Sequence, residues 1–377
     1  MKNLLRFCLL AVVVCSVVSI PDWTALERMA MDAIEAKVFP GIAIAIGSSK
    51  NVYYSKVFGT YQFRRDIFLN NVTIDTRWDL DRLSPAVSLV PAYMHLLDNG
   101  RLNLSDHVSK YEFDFDNNAK KNLSIENMML HNSGFEAYYP LPLPKTGDEI
   151  IRHINAAKLN YTTANKSLYS DEGLIVLQEV VVKVSGKPYE SFVFQVNVET
   201  GLRNTNYPPL FSADLAHMAP TAAVAGKGLL HGKAFEPMSY LLNSTAGHAG
   251  IFSTAADVLR FYRLLLAGGQ LANESRLFTK ASVDLFTTKP TNLKYNNSRA
   301  YIFDTVPNDD PTPPCGTKFT PEKNFGLYGQ TGCLAWADKV KDVAIVILTN
   351  AMFVNGTSKV KDLMPKMSDE IMTQLGF

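Results

Sequence analysis

Cysteine is scarce: the 377 residues include 4, too few for a disulfide-stapled scaffold, so stability has to come from a buried core. Excess charge of one sign is also missing. Lys plus Arg number 37 against 36 Asp plus Glu, a net charge of +1, which offers no field for phosphate backbones or acidic membranes. Nucleic acid is therefore not an expected partner. No internal repeat occurs, which excludes solenoids and propellers, and the Pro-rich stretch 307–314 is the nearest approach to a flexible insertion. Beyond the first residues no apolar run is long enough to span a bilayer.

What is present suits a folded chain. The 47% hydrophobic and 19% charged composition excludes intrinsic disorder and allows one large core or two smaller ones. The opening MKNLLR is followed by the apolar run FCLLAVVVCSVVS, so residues 1–19 read as a secretory signal peptide, with Val17 and Ser19 as small residues before the cut. Removing it takes Cys8 and Cys15 and leaves Cys315 and Cys333 as the expected disulfide of an oxidising compartment. Two separate buried thiols remain open, because spacing does not show that the Cβ atoms can meet. Asn-x-Ser/Thr triplets at Asn71, Asn103, Asn122, Asn160, Asn165, Asn243, Asn273, Asn296 and Asn355 support secretion as a glycoprotein and require those segments at the surface if used.

Residues 22–37 place Leu26, Met29, Ala30 and Ala33 on one helical side. Pro40-Gly41 then precedes two short apolar runs, Ile42 to Ile46 and Val52 to Phe58, which read as a hairpin. Helical periodicity dominates from Trp78 to Ala267, as in Ala92 to Leu97, Gly173 to Val184 and Ala255 to Leu266. Strand character returns in Gly326 to Ala337 and Val343 to Thr349, before an amphipathic helix carrying Leu363, Met364, Met367, Ile371, Met372 and Leu375. The expectation is an α+β domain over 20–377: an antiparallel sheet part (20–79 and 318–377) flanked by helices, with an inserted helical part (80–317).

Several blocks then occur in a telling order. They are Pro40-Gly41, Trp78-Asp79-Leu80, Leu96 to Leu102, Leu130-His131-Asn132-Ser133-Gly134 and Tyr169-Ser170-Asp171, followed by Val184 to Lys187, Ala246 to Thr254 and Leu348-Thr349-Asn350. In this order the chain resembles the serine β-lactamase-related hydrolases, which share their fold with penicillin-binding proteins and class C β-lactamases. The resemblance covers nearly the whole of residues 20–377 and implies a β-lactamase/transpeptidase-like fold.

It also implies a helix-opening Ser-x-x-Lys that supplies an acyl-accepting hydroxyl and an amine. Here that stretch is Arg82-Leu83-Ser84-Pro85. Arg82 stands at the nucleophile's place and Pro85 at the lysine's; a guanidinium is no nucleophile at neutral pH, and proline has no amine to exchange a proton. The family's Tyr-x-Asn is Tyr169-Ser170-Asp171, and its basic residue before Thr-Gly is Leu327, within Leu327-Tyr328-Gly329. A register on Gln330-Thr331-Gly332 keeps Thr-Gly, although the spacing to Trp336 and Asp338 favours the first.

These losses point to a secreted, catalytically inactive homologue that acts by binding. The alternative is an active serine hydrolase, of esterase, amidase or D-amino-acid peptidase type, with an atypical nucleophile. Arg82, Tyr169, Asp171 and Gln330 are the binding candidates, for an unknown small carboxylated ligand or an extracellular protein. The resemblance places the oxyanion-hole amides at Arg82 and Gln330, and the opposite charges of Arg82 and Asp171 suggest a pair across the old cleft. Ser84 with Pro85 reads as N-cap and first helical residue. His131, His231 and His248 lack metal-ligand spacing, so neither metal nor cofactor is expected.

Overall fold

A computed structural model describes residues 21–377 except 64–70, 112–114, 116–119, 138–144, 209–211, 225, 227, 272, 296, 307–312 and 355–356. The signal-peptide segment and the sequons at Asn296 and Asn355 thus lie outside the described residues. The other seven sequon asparagines are all exposed. Among the described residues no helix is long and apolar enough to cross a membrane.

The chain opens with α1 (Thr24–Glu35), which buries Leu26, Ala30 and Ala33. Strands β1 (Gly41–Gly47) and β2 (Val52–Gly59) form the expected antiparallel hairpin. Its turn is held by Ser48 Oγ, which accepts from the Lys50 and Asn51 amides. The helical region contains α2 (Asp171–Ser185) and α3 (Ala255–Leu266). The chain then returns through β3 (Asn324–Tyr328), β4 (Leu334–Asp338) and β5 (Val343–Thr349) to α4 (Thr357–Gln374).

The five strands form one antiparallel sheet in the order β2-β1-β5-β4-β3, with Ile44 opposite Ile347. Both ends of the chain therefore build one sheet, and the α+β class holds. The run Gly326 to Ala337 holds most of two strands, β3 and β4. Gly332 adopts φ 82°, and the Gly329 amide donates to the Cys333 carbonyl at 2.8 Å, which turns the chain back on itself.

Strand alternation sorts the core into two layers. Ile42, Ile44, Ile46, Leu334, Trp336, Ile345 and Ile347 face one way, into the layer containing Leu26 and Ala30 of α1 and Met364, Met367 and Ile371 of α4. Ala43, Ala45, Ala335, Ala337 and Ala344 face the other way, into the larger core with α3 and the helical region. The alanines let α3 lie close against the sheet, and the isoleucines supply about 1.5–3 kcal/mol each relative to exposure. Covered on both faces, β1 is buried along its whole length.

This sorting overturns the expected disulfide. Cys333 faces the larger core, where its thiol donates to the Asp79 and Thr349 carbonyls, whereas Cys315 is buried in the opposite layer. The sheet stands between them, and the two thiols are not joined. Gly41 illustrates the close packing at the site end of the sheet: an added Cβ would come within 2.7 Å of Val72 and 2.8 Å of the Thr60 carbonyl.

Candidate functional site

The block Trp78-Asp79 pairs antiparallel with Phe252-Ser253, which fixes the entry to the place where the family's nucleophile is expected. A single 3-10 turn, Asp81–Leu83, leads into a short helix, Ser84–Val87. Ser84 is the first residue of that helix rather than its cap. Its fully buried hydroxyl instead accepts from the Ile251 amide at 3.3 Å, and Pro85 occupies the second helical position, where no amide is needed. Thr331 Oγ1 donates to the Asp79 carbonyl and Thr349 Oγ1 to the Thr331 carbonyl, tying this turn to the sheet.

The half-buried Arg82 lays its guanidinium over the ring of Tyr169, 4.9 Å from the centroid. Arg299 approaches the same ring at 5.8 Å, and His131 lies 4.7 Å from it. His131 takes φ 51°, and its Nδ1 accepts the Ser170 amide at 3.2 Å, so the ring proton resides on Nε2. Burial and the charge of Arg299 hold this imidazole well below its usual range and keep it neutral. Burial, reinforced by the charge of Asp171, pushes the Tyr169 phenol well above its ordinary value, although Arg82 opposes the shift. A phenol held in the neutral form is poorly suited to taking a proton from a nucleophile.

Ser170 caps α2 by accepting the Gly173 amide, which places Asp171 in the first turn, where helix polarity favours an anion. The ion-pair partner expected for Asp171 was Arg82. Arg82 favours the charged form of Asp171, and Asp171 also shares a cluster with Glu236 and His248, whose ligand atoms lie within 4.8 Å of one another and whose charges act on it more strongly than Arg82. Within the cluster His248 Nε2 is 2.6 Å from Glu236 Oε2. Burial alone would lower the His248 pKa, yet Glu236 and Asp171 raise it; burial opposes ionisation of Glu236, yet His248 and the Ser239 and Met238 amides hold it below its usual range. Both shifts favour the ionic form of the pair. A cation bound by Asp171, Glu236 and His248 would have to break this bond first, so the cluster reads as a buried ion network. His231, by contrast, meets the Met218 carbonyl at 3.0 Å.

The third element carries no charge. Leu327 is 4% exposed and belongs to the larger core. Gln330 is exposed, but its amide points inward and donates to Asp81 Oδ2. Asp81 is 2% exposed, at φ 46°, and its own amide donates to Asp79 Oδ1 at 3.0 Å. Burial raises the pKa of both carboxyls, Asp79 to about 7 with the charge of Asp81 contributing, while Arg82 pulls Asp81 the other way.

The Beta-lactamase family model matches residues 26–362, and the chain belongs to that family. It is 24% identical over 355 residues to an N-acetylmuramyl-L-alanine amidase of Bacillus subtilis, covering 83% of this chain and 77% of the amidase. The D-alanine carboxypeptidase AmpC of Burkholderia cenocepacia superimposes with TM-score 0.71 and 17% identity over 92% of this chain and 97% of its own. A class C β-lactamase gives 0.72 and 17% over 93% and 95%. At that identity the structural likeness establishes the fold, and the chemistry has to be read from the side chains.

Arg82, Tyr169 and Asp171 thus share one locality, which the Gln330 amide joins through Asp81, while Pro85 and Leu327 are buried. Asp79, Asp81, Glu236 and Arg299 also belong there and were not anticipated. Glu236 lies 12 positions before His248, with no local pattern to link them.

Proposed function

We propose that this chain is a secreted glycoprotein of the family that has lost acyl transfer and acts by binding. The observation that carries the reading is Arg82, which stands where the attacking hydroxyl is expected and is stacked on a Tyr169 phenol held neutral. Pro85 supplies no amine, Leu327 supplies no charge, and the buried Ser84 hydroxyl is engaged with the Ile251 amide. A covalent route needs a nucleophile and a base together, and losing the nucleophile alone removes most of the rate. The leader-like residues 1–19 and the seven exposed sequons support the secretory route.

The test is intact-mass spectrometry of the deglycosylated, secreted protein after incubation with benzylpenicillin and with a fluorophosphonate probe, beside an active class C β-lactamase as positive control. The natural chain is expected to keep its mass. A stoichiometric adduct would overturn the reading, and mapping it would identify the nucleophile.

A further inference from the structure

The Arg82 nitrogen and Asp81 Oδ2 both lie beside Gly329, and the next amide, that of Gln330, is hydrogen-bonded to the same side chain. The Gln330 amide donates to Asp81 Oδ2, and the Arg82 amide turns its positive end to the same carboxylate. Gly329 leaves the room for this: a Cβ there would sit 3.2 Å from Asp81 Oδ2 and 3.4 Å from the Arg82 nitrogen. The left-handed backbone at Asp81, φ 46°, curls the short side chain back over the following amide, a conformation in which aspartate is among the few tolerated residues besides glycine. A carboxylate on paired N–H donors reproduces the charge and hydrogen-bond demand of an oxyanion.

We propose that Asp81 is a built-in occupant of this amide pair and determines what the pocket can accept, excluding ligand carbonyls and carboxylates from it. The inference rests on the reading of the site as non-acylating, and it adds a second barrier separate from the missing hydroxyl and amine. An incoming carbonyl or carboxylate must displace a carboxyl group that is already hydrogen-bonded, buried and tethered to the chain, which gives the tethered group a large effective concentration. Restoring the hydroxyl and the amine alone should therefore not restore acylation.

Two variants separate this barrier from the others: R82S/P85K, and the same pair with D81G. Glycine adopts φ 46° without strain, so the added change removes the carboxylate and spares the turn. With benzylpenicillin followed by intact mass, the triple variant is expected to acylate at least about 100-fold faster than the double, the scale set by loss of one oxyanion donor. Equal non-zero rates in the two would overturn the proposal. Amide hydrogen exchange decides the matter without acylation: in the otherwise natural chain, D81G is expected to speed exchange at Gln330 at least tenfold, while D81N, which keeps an acceptor oxygen, stays close to the natural value. Unchanged exchange at Gln330 in D81G would overturn the proposal whatever the labelling result. A penicillin adduct on the natural chain would instead sink the non-acylating reading, leaving the exchange result to judge Asp81.

Discussion

Glu236→Ala is expected to destabilise the fold by about 3–5 kcal/mol, because it strips the partner from a buried cation. His248 is fully buried, with Nε2 2.6 Å from Glu236 Oε2, and the same oxygen accepts the Ser239 amide at the start of the helix Pro237–Leu241. Alanine removes the ion pair and the cap together, the latter worth about 1 kcal/mol by itself. The imidazole is left with Asp171 as its nearest acid, so His248 is expected to titrate lower than in the natural chain. Glu236→Gln keeps an oxygen for the Ser239 amide and should lose less. Urea midpoints at pH 6 check both; an alanine variant within 1 kcal/mol of the natural chain would remove this pair from the list of determinants of stability.

Stability is expected to fall as pH rises from about 4 to 8, against the usual behaviour of carboxylates in folded proteins. Burial lifts Asp79 from 3.8 to about 7, helped by the charge of Asp81, a shift on the order of 4 kcal/mol. Burial likewise lifts Glu172 from 4.5 to about 7, with the charges of Glu136 and Asp171 adding to it. In both groups the folded state holds its proton more tightly than the unfolded chain does. Their contribution is therefore complete below the unfolded values and is lost as pH climbs through about 7. His248 acts in the same sense, since its raised pKa favours the folded form until that proton leaves. Glu236 and His131, whose pKa values are lowered, work the other way: the Glu236 contribution disappears only on acidification below its ordinary range, while the cost of keeping His131 neutral eases as pH rises toward its ordinary value and offsets one carboxyl's share of the fall. Glu172→Gln removes one titrating group and should flatten the profile, with its gain over the natural chain largest near pH 8. A urea midpoint that stays level or climbs between pH 5 and pH 8 would refute the assignment.

The elements that showed in the sequence are those whose period is written locally. The Ile-Ala alternation of β1 and the spacing of Leu26, Ala30 and Ala33 in α1 each announce a face. The break between β3 and β4 falls at Gly329-Gln330-Thr331-Gly332, where the chain turns through the positive φ of Gly332. The cysteine pairing failed for a geometric reason. Spacing along the chain ignores alternation, and Cys333 is turned from Cys315 by the same pleat that sends its neighbour Leu334 into the other layer.

The candidate site was read from the residue types that the resemblance would not place there, at Arg82, Pro85 and Leu327. It was not legible where an ordinary acid had been turned inward. A buried Asp81 or Glu236 reads in sequence like any solvated carboxylate, and only the fold brings the Gln330 amide or the His248 ring to it. Around the expected partners Arg82 and Asp171, the fold adds what the sequence did not show: an aromatic face under the guanidinium, and an imidazole and a second acid beside the carboxyl.

The lodging of one thiol on each side of the central sheet gives this chain a pair of internal clocks. An alkylating reagent reaches Cys315 only when the layer beneath the terminal helices opens, and Cys333 only when the inserted helical half lifts away. The order in which the two are captured during slow unfolding therefore reports which half of the molecule lets go first, with no foreign label introduced into either.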